Sequence, residues 1–274
     1  MTEQNGQIEA DDEPPAAGLL EDVRDCLMFL TRLPMPEQQE GRYRQLSNAV
    51  RGFPVAGALI GAIGGLALLA AQGAGLPAMV AACIAVVAIV MVTGGLHEDG
   101  LADVADGFGA GGSRERKLEI MRDSRIGTYG VLALVFAILI KVTCISVLLN
   151  AAQSVWHVPM LLVATGSLSR TFIVLAMRSM PVARSDGRSV EAGVPTGSGA
   201  NQALVAGLAI GSIMMWLACG LWTMAATLLA GAAAYYLAKR RALHHVGGQT
   251  GDVLGAIQQL TEIAMFVALA ATYC

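Results

Sequence analysis

Four apolar runs, residues 53–71, 76–96, 128–149 and 158–177, restrict this chain more than any other feature. Each is close to the roughly 20 residues that a helix needs to cross a hydrocarbon layer about 30 Å thick. A fifth run, 203–238, is too long for one crossing, and Cys219–Gly220 offers a turn between two shorter helices. Residues 256–273 make a last, shorter candidate. Inside a bilayer every backbone N–H and C=O must be satisfied within its own segment, so such runs fold as helices. The fold class expected is all-α, a polytopic membrane helix bundle of about six to seven transmembrane helices.

Composition agrees. Hydrophobic residues make up 55% of the 274 positions and charged residues 14%, against about 45–50% and about 25% in a soluble domain. The 32 glycines suit close helix packing, and Gly57, Gly61 and Gly65 form a GxxxGxxxG face on the first span. The five cysteines are scattered without CxxC spacing, which suggests neither a zinc site nor a disulfide framework. Residues 1–17 hold Glu3, Glu9, Asp11, Asp12 and Glu13 and read as a disordered acidic tail, without the basic stretch of a signal peptide. Residues 18–274 then form a single integral membrane domain, opened by an amphipathic interfacial helix at 18–33.

Placement of charge sets the topology. Of the 18 Lys and Arg residues, 16 lie before the first span, between the second and third, at 178–188 and at 239–241, while the alternate loops have none. By the positive-inside rule those segments face the cytoplasm, with the N-terminus, and the C-terminus lies outside. The other two, Lys141 and Arg170, sit inside spans, where an ionisable group must meet a partner or a polar cavity. They are read as candidate substrate-binding residues, with mutual structural pairing nearly as good an account.

The second span runs into TGGLHEDGLADVADGFG, residues 93–109. A helix continued through it places Asp99, Asp103 and Asp106 at i, i+4 and i+7, within an arc of about 60°. Carboxylates so crowded repel one another, and a bound cation reverses that. Oxygen ligands favour Mg²⁺, which keeps most of its positions for water and phosphates. Glu98 is a weaker member of this metal set, being turned about 100° away. A basic cluster follows; Arg122, Asp123 and Arg125 precede the next span, where arginines can clamp a diphosphate bidentately. Arg114 and Arg116 are left to the topogenic charge of the loop. Near the last span, GGQTGDVLGA (247–256) adds Gln249, Thr250 and Asp252 as candidates for holding phosphate or metal. Acids beside a basic cluster suggest phosphoryl transfer from a diphosphate ester, approached from the cytoplasm.

These stretches, with FLTRLPMP (29–36), FPVAGALIG (53–61) and KLEIMRDSRIGTYG (117–130), resemble the cobalamin 5′-phosphate synthase family over about residues 20–265. The combination HxDGLADxxDG followed by IMRDSRxGTxG is specific. The resemblance implies a Mg²⁺-dependent enzyme of the bacterial inner membrane. It would join adenosylcobinamide-GDP to α-ribazole or its 5′-phosphate and release GMP. Under it, Asp99, Asp103 and Asp106, with Glu98, hold the metal, Arg122 and Arg125 the diphosphate, and His97 or Asp123 is the base. The partners implied are these two substrates and the lipid bilayer, with no nucleic acid; the oligomeric state is left open. Two rivals stand beside it. A CDP-alcohol phosphotransferase also has DG and carboxylates at a span end, but its DGxxAR pattern is broken at Asp103 and no DxxxD follows. A small transporter would bind its ion near the midplane rather than at one boundary.

Overall fold

A computed structural model describes residues 18–35, 45–184 and 191–273. The acidic tail expected at 1–17 lies outside the described residues. The chain forms α1 (Leu19–Leu30), two short 3-10 turns (Leu46–Asn48 and Val50–Gly52), α2 (Phe53–Gly73), α3 (Ala78–Thr93) and α4 (Leu96–Gly109). There follow α5 (Arg114–Ile120), α6 (Thr128–Ala151), α7 (His157–Ser179), α8 (Gly197–Val246) and α9 (Gly251–Thr272). Among the described residues no strand forms; a single isolated bridge pairs Val182 with Gln249.

Five of these helices are long and apolar enough to cross a membrane, and α3 joined to α4 makes a sixth. Their outward faces carry exposed Leu66, Met91, Phe136, Leu139, Trp216, Trp222 and Leu229, the apolar surface expected of a bundle whose solvent is lipid. The protein is therefore an integral membrane protein, of the class read from the sequence.

The 50-residue α8 breaks at Gly220, the only non-helical position inside it, with φ 76° and ψ 177°. Gly207 and Gly211 pack on Thr171 and Leu168, while Gly231 and Tyr235 return to Phe172 and Lys239 reaches Ser179. The two arms thus run along α7 in opposite directions. The turn expected at Cys219–Gly220 is present, and it makes one crossing of each arm.

One expectation is corrected here. The second span does not continue through the acidic stretch: it stops at Thr93, and α4 departs at 90°. Gly94 and Gly95 are consecutive left-handed residues, with φ 65° and 72°, a conformation that ends the helical ladder and that L-residues with a Cβ resist. An acidic helix is costly in hydrocarbon, so we take α3 as the crossing segment and α4 as a boundary helix outside it.

Small residues set the central packing. A Cβ on Gly57 or Gly61 would collide with the carbonyls of Gly166 or Leu162, so the backbones of α2 and α7 touch along the GxxxGxxxG face. At the other junction, Gly100 of α4 lies against the backbone of Asp252 and Gly255 of α9 against that of His97. Two interlocked glycines thereby bring the acidic helix onto the Gly-rich start of the last span.

Candidate active site

Two adjoining cavities open at the basic end of the bundle. The smaller has a volume of about 370 Å³ and is walled by Leu30, Phe53, Met121, Ile173 and Met177, with His97, Asp99, Arg122, Arg184 and Asp252 among its polar lining. The larger, of about 860 Å³, is lined by Thr31, Arg32, Thr93, Gly94, Gly95, Glu98, Asp99 and Glu191 among others. Asp99 lines both.

The acids separate into roles. Asp99 is exposed at the junction of the cavities. Asp103, one turn on, is pushed from its ordinary value of 3.8 up to about 7, first by burial and then by the charges of Asp252, Asp99 and Asp106, against the pull of Arg184. Four carboxylates therefore feel one another on this patch, and a cation of hard character would relieve their repulsion. Among the described residues no three His, Cys, Asp or Glu side chains stand ready to enclose a metal. Mg²⁺ commonly takes only one or two protein carboxylates and completes its shell with water and phosphate, so Asp99 and Asp103 fit it without such a cage. Asp106 is spoken for: its two oxygens accept the N–H groups of Gly127 at 2.7 Å and Gly130 at 2.9 Å, which ties α4 to the start of α6. Asp252 accepts from Arg184 at 2.6 Å and from the Thr250 hydroxyl at 3.2 Å.

Glu98, expected as a weaker metal ligand, is held by partners inside the bundle. Its carboxylate accepts from Gln259 at 2.9 Å and lies 3.7 Å from the Lys141 ammonium. Lys141 in turn pairs with Glu262 at 2.9 Å, and Arg170 pairs with the same Glu262 at 3.1 Å. Ser169, Gln258 and Gln259 complete this buried network with hydrogen bonds. Lys141 and Arg170, expected as substrate-binding residues, line neither of the two large cavities. The structural pairing weighed beside that reading is the one present. Two cations and two carboxylates neutralise one another there, the arrangement that makes charge tolerable in a span.

Gln249 and Thr250 act on the backbone. The Gln249 amide donates to the carbonyls of Met177 and Met180, and its main chain pairs with Pro181 and Ala183. The Thr250 hydroxyl accepts the N–H of Val253 and caps α9. Together they hold residues 180–184, and hence Arg184, against the start of α9. Arg114 supports the same loop by donating to the Ala183 carbonyl at 2.7 Å. Arg184 escaped sequence reasoning because it counted only as topogenic charge; no local motif marks a residue that meets its partner 68 positions later.

The two candidate bases differ. His97 is 2% exposed, faces the smaller cavity, and has no hydrogen-bond partner at either ring nitrogen. Burial, with the charges of Arg170 and Lys141, holds its pKa well below the usual imidazole value, so it is neutral. Asp123 is exposed and accepts two hydrogen bonds from the Arg125 guanidinium and one from the Arg125 N–H, which bring its pKa down to about 2. Neither Asp123 nor Arg125 lines either of these two cavities, whereas Arg122 lines the smaller.

Comparison with known proteins supplies the lineage. The sequence profile for cobalamin-5-phosphate synthase matches residues 22–270. An adenosylcobinamide-GDP ribazoletransferase of Mesorhizobium japonicum is 44% identical over 91% of this chain and 92% of its own length. Proteins of the same name from Azorhizobium caulinodans and Bradyrhizobium diazoefficiens are 43% and 38% identical over 91% and 92% of the chain, covering 95% and 94% of theirs. No solved structure matches. Family membership displaces both rival readings, and the motifs that carry it, from the acidic helix to the glycine-rich start of α9, are those that meet at the two cavities. The chain belongs to the cobalamin-5-phosphate synthase family.

Proposed function

We propose that the protein transfers the cobinamide phosphoryl group of adenosylcobinamide-GDP to α-ribazole or its 5′-phosphate. GMP is released, Mg²⁺ is required, and the site lies on the cytoplasmic face of the bacterial inner membrane. The observation that carries this reading is the convergence on one cavity of Asp99, His97, Arg122, Arg184 and Asp252, drawn from four parts of the chain. Relatives that share these segments carry the name of that reaction.

The chemistry asks little covalent work of the protein. The ribazole 3′-hydroxyl oxygen forms a bond to the phosphorus nearer cobinamide, the bridging P–O bond breaks, and GMP leaves with the electron pair. Positioning and charge stabilisation dominate in such displacements. Arg122 and Arg184 bind non-bridging oxygens of the diphosphate bidentately. His97, neutral, lining the cavity and with both ring nitrogens unpartnered, takes the hydroxyl proton. Asp123 is the poorer base, since its carboxylate is already engaged by Arg125. Asp99 and Asp103 would hold Mg²⁺, which when bound neutralises charge on the diphosphate and on the departing oxygen.

Two measurements test the proposal. Protein purified in detergent should release GMP only when both substrates and Mg²⁺ are present, and Asp103→Asn should lose at least about a hundredfold of kcat, the scale of a lost charge-stabilising group. Release without Mg²⁺, or full activity in the variant, would remove the metal reading while leaving the transfer. Orientation is read by single cysteines in intact cells: Ser113→Cys should be shielded from an impermeant maleimide and Gln153→Cys labelled by it, and the reverse pattern would put the site outside.

A further inference from the structure

The two cavities share Phe29, Leu46, Leu96, Asp99 and Ala192, yet they differ in kind. The smaller is closed by Leu30, Phe53, Met121, Ile173 and Met177, all between 1% and 4% exposed. Its charged members are more open: Asp99 and Arg122 are exposed, and the Arg184 and Asp252 side chains are 14% and 24% exposed. It therefore has a dry apolar wall on one side and charge towards solvent on the other. The larger cavity is bounded instead by the Gly94–Gly95 backbone and by Thr31, Arg32, Thr93 and Glu191.

Transfer between two substrates requires both to bring their reacting atoms to one place. Among the described residues, Asp99 is the one ionisable residue in both linings. The two substrates also differ in what they gain from each wall. A flat benzimidazole-type base recovers free energy in proportion to the apolar area that it removes from water. A corrin ring with its amide arms and a nucleotide is far too bulky for 370 Å³, which is near the bottom of the roughly 300–1,000 Å³ range of ligand pockets.

Resting on the transfer reaction argued above, we propose that the smaller cavity seats the heterocyclic base of the ribazole acceptor, and that the larger one receives the corrinoid–GDP donor, the two meeting at Asp99. The apolar wall then selects the lower-ligand base by size, with Met121 and Ile173 as specificity-determining residues. The ribose extends towards Asp99, where the diphosphate of the donor reaches across from the larger cavity to Arg122 and Arg184.

Steady-state kinetics of the full chain in lipid nanodiscs, with each substrate varied in turn, decide the matter. Met121→Phe narrows the smaller cavity and should raise KM for α-ribazole 5′-phosphate about tenfold or more, as one misplaced methylene-sized group typically does, with KM for the donor unchanged. The penalty should shrink for an acceptor that carries unsubstituted benzimidazole. Ile173→Ala, which adds space, should shift preference towards a larger naphthimidazole base. Glu191→Trp lines only the larger cavity and should raise the donor KM alone. Equilibrium dialysis of α-ribazole 5′-phosphate by itself reads the same preferences without turnover. A donor KM that rises in Met121→Phe, or ribazole affinities indifferent to both smaller-cavity variants, overturns the seating of the base. Wild-type protein that releases no GMP from the two substrates counts against the transfer reaction itself.

Discussion

At the scale of single residues, the acidic motif divides into carboxylates left without a structural partner among the described residues and carboxylates that hold the frame. Asp99 and Asp103 remain available, whereas Asp106 accepts two backbone N–H groups at the start of α6. The i, i+4, i+7 spacing that placed all three on one face is blind to this, because Gly127 and Gly130 approach from another part of the chain. Asp106→Ala should behave as a folding variant, with about 1–3 kcal/mol lost for two orphaned donors. Thermal unfolding in detergent checks it: a clearly lowered Tm with Mg²⁺ affinity retained is the expected result, and an unchanged Tm with lost Mg²⁺ affinity would return Asp106 to the metal. Glu98 shows the opposite case. Its neighbour Asp99 lines both cavities, while Glu98 borders only the larger one, is buried and accepts from Gln259, since successive helical residues point about 100° apart.

At the scale of elements, the site exists because α4 leaves the membrane-crossing direction and settles on α9. Gly94 and Gly95 make the 90° bend, and Gly100 permits the approach, since a Cβ there would stand 2.7 Å from the Asp252 carbonyl oxygen. Asp252 is the partner of Arg184, so displacing it disturbs the charged side of the cavity. Gly100→Ala should therefore cost about 1–3 kcal/mol by overpacking and lower kcat as well as Tm. Gly73→Ala, a helical position with nothing within 4 Å of the added carbon, serves as control and should be neutral or slightly stabilising. Equal behaviour of the two variants, in unfolding scans and GMP release, would deny that this contact positions the site.

At the scale of the whole molecule, the interior of the bundle is held by charge as well as by small residues. Glu262 of α9 binds Lys141 of α6 and Arg170 of α7, and Glu98 brings α4 into the same network. Removing one partner of a buried pair strands the other charge, so Glu262→Gln should destabilise the protein by about 3–5 kcal/mol. The Lys141→Met, Glu262→Gln double variant, which restores the balance of charge, should be less destabilised than Glu262→Gln alone. Unfolding scans of the singles and the double give the coupling directly, and additive losses would mean that the network contributes no pairwise stabilisation.

The sequence by itself determined the class of the fold, the approximate spans, the reversal near Gly220 and the stretches that build the site. Each of these follows from local physics: run length against bilayer thickness, the conformational freedom of glycine, and acids gathered at the end of an apolar run. Only the tertiary structure decided which residues of those stretches face the cavity. It turned α4 away from α3, withdrew Glu98, Lys141 and Arg170 into the bundle, gave Asp106 to the start of α6, and brought in Arg184 and the wall of Phe53, Met121, Ile173 and Met177. Side-chain partners distant in sequence leave no periodic trace, because the contact that assigns a role is made between helices and depends on how closely their backbones can approach.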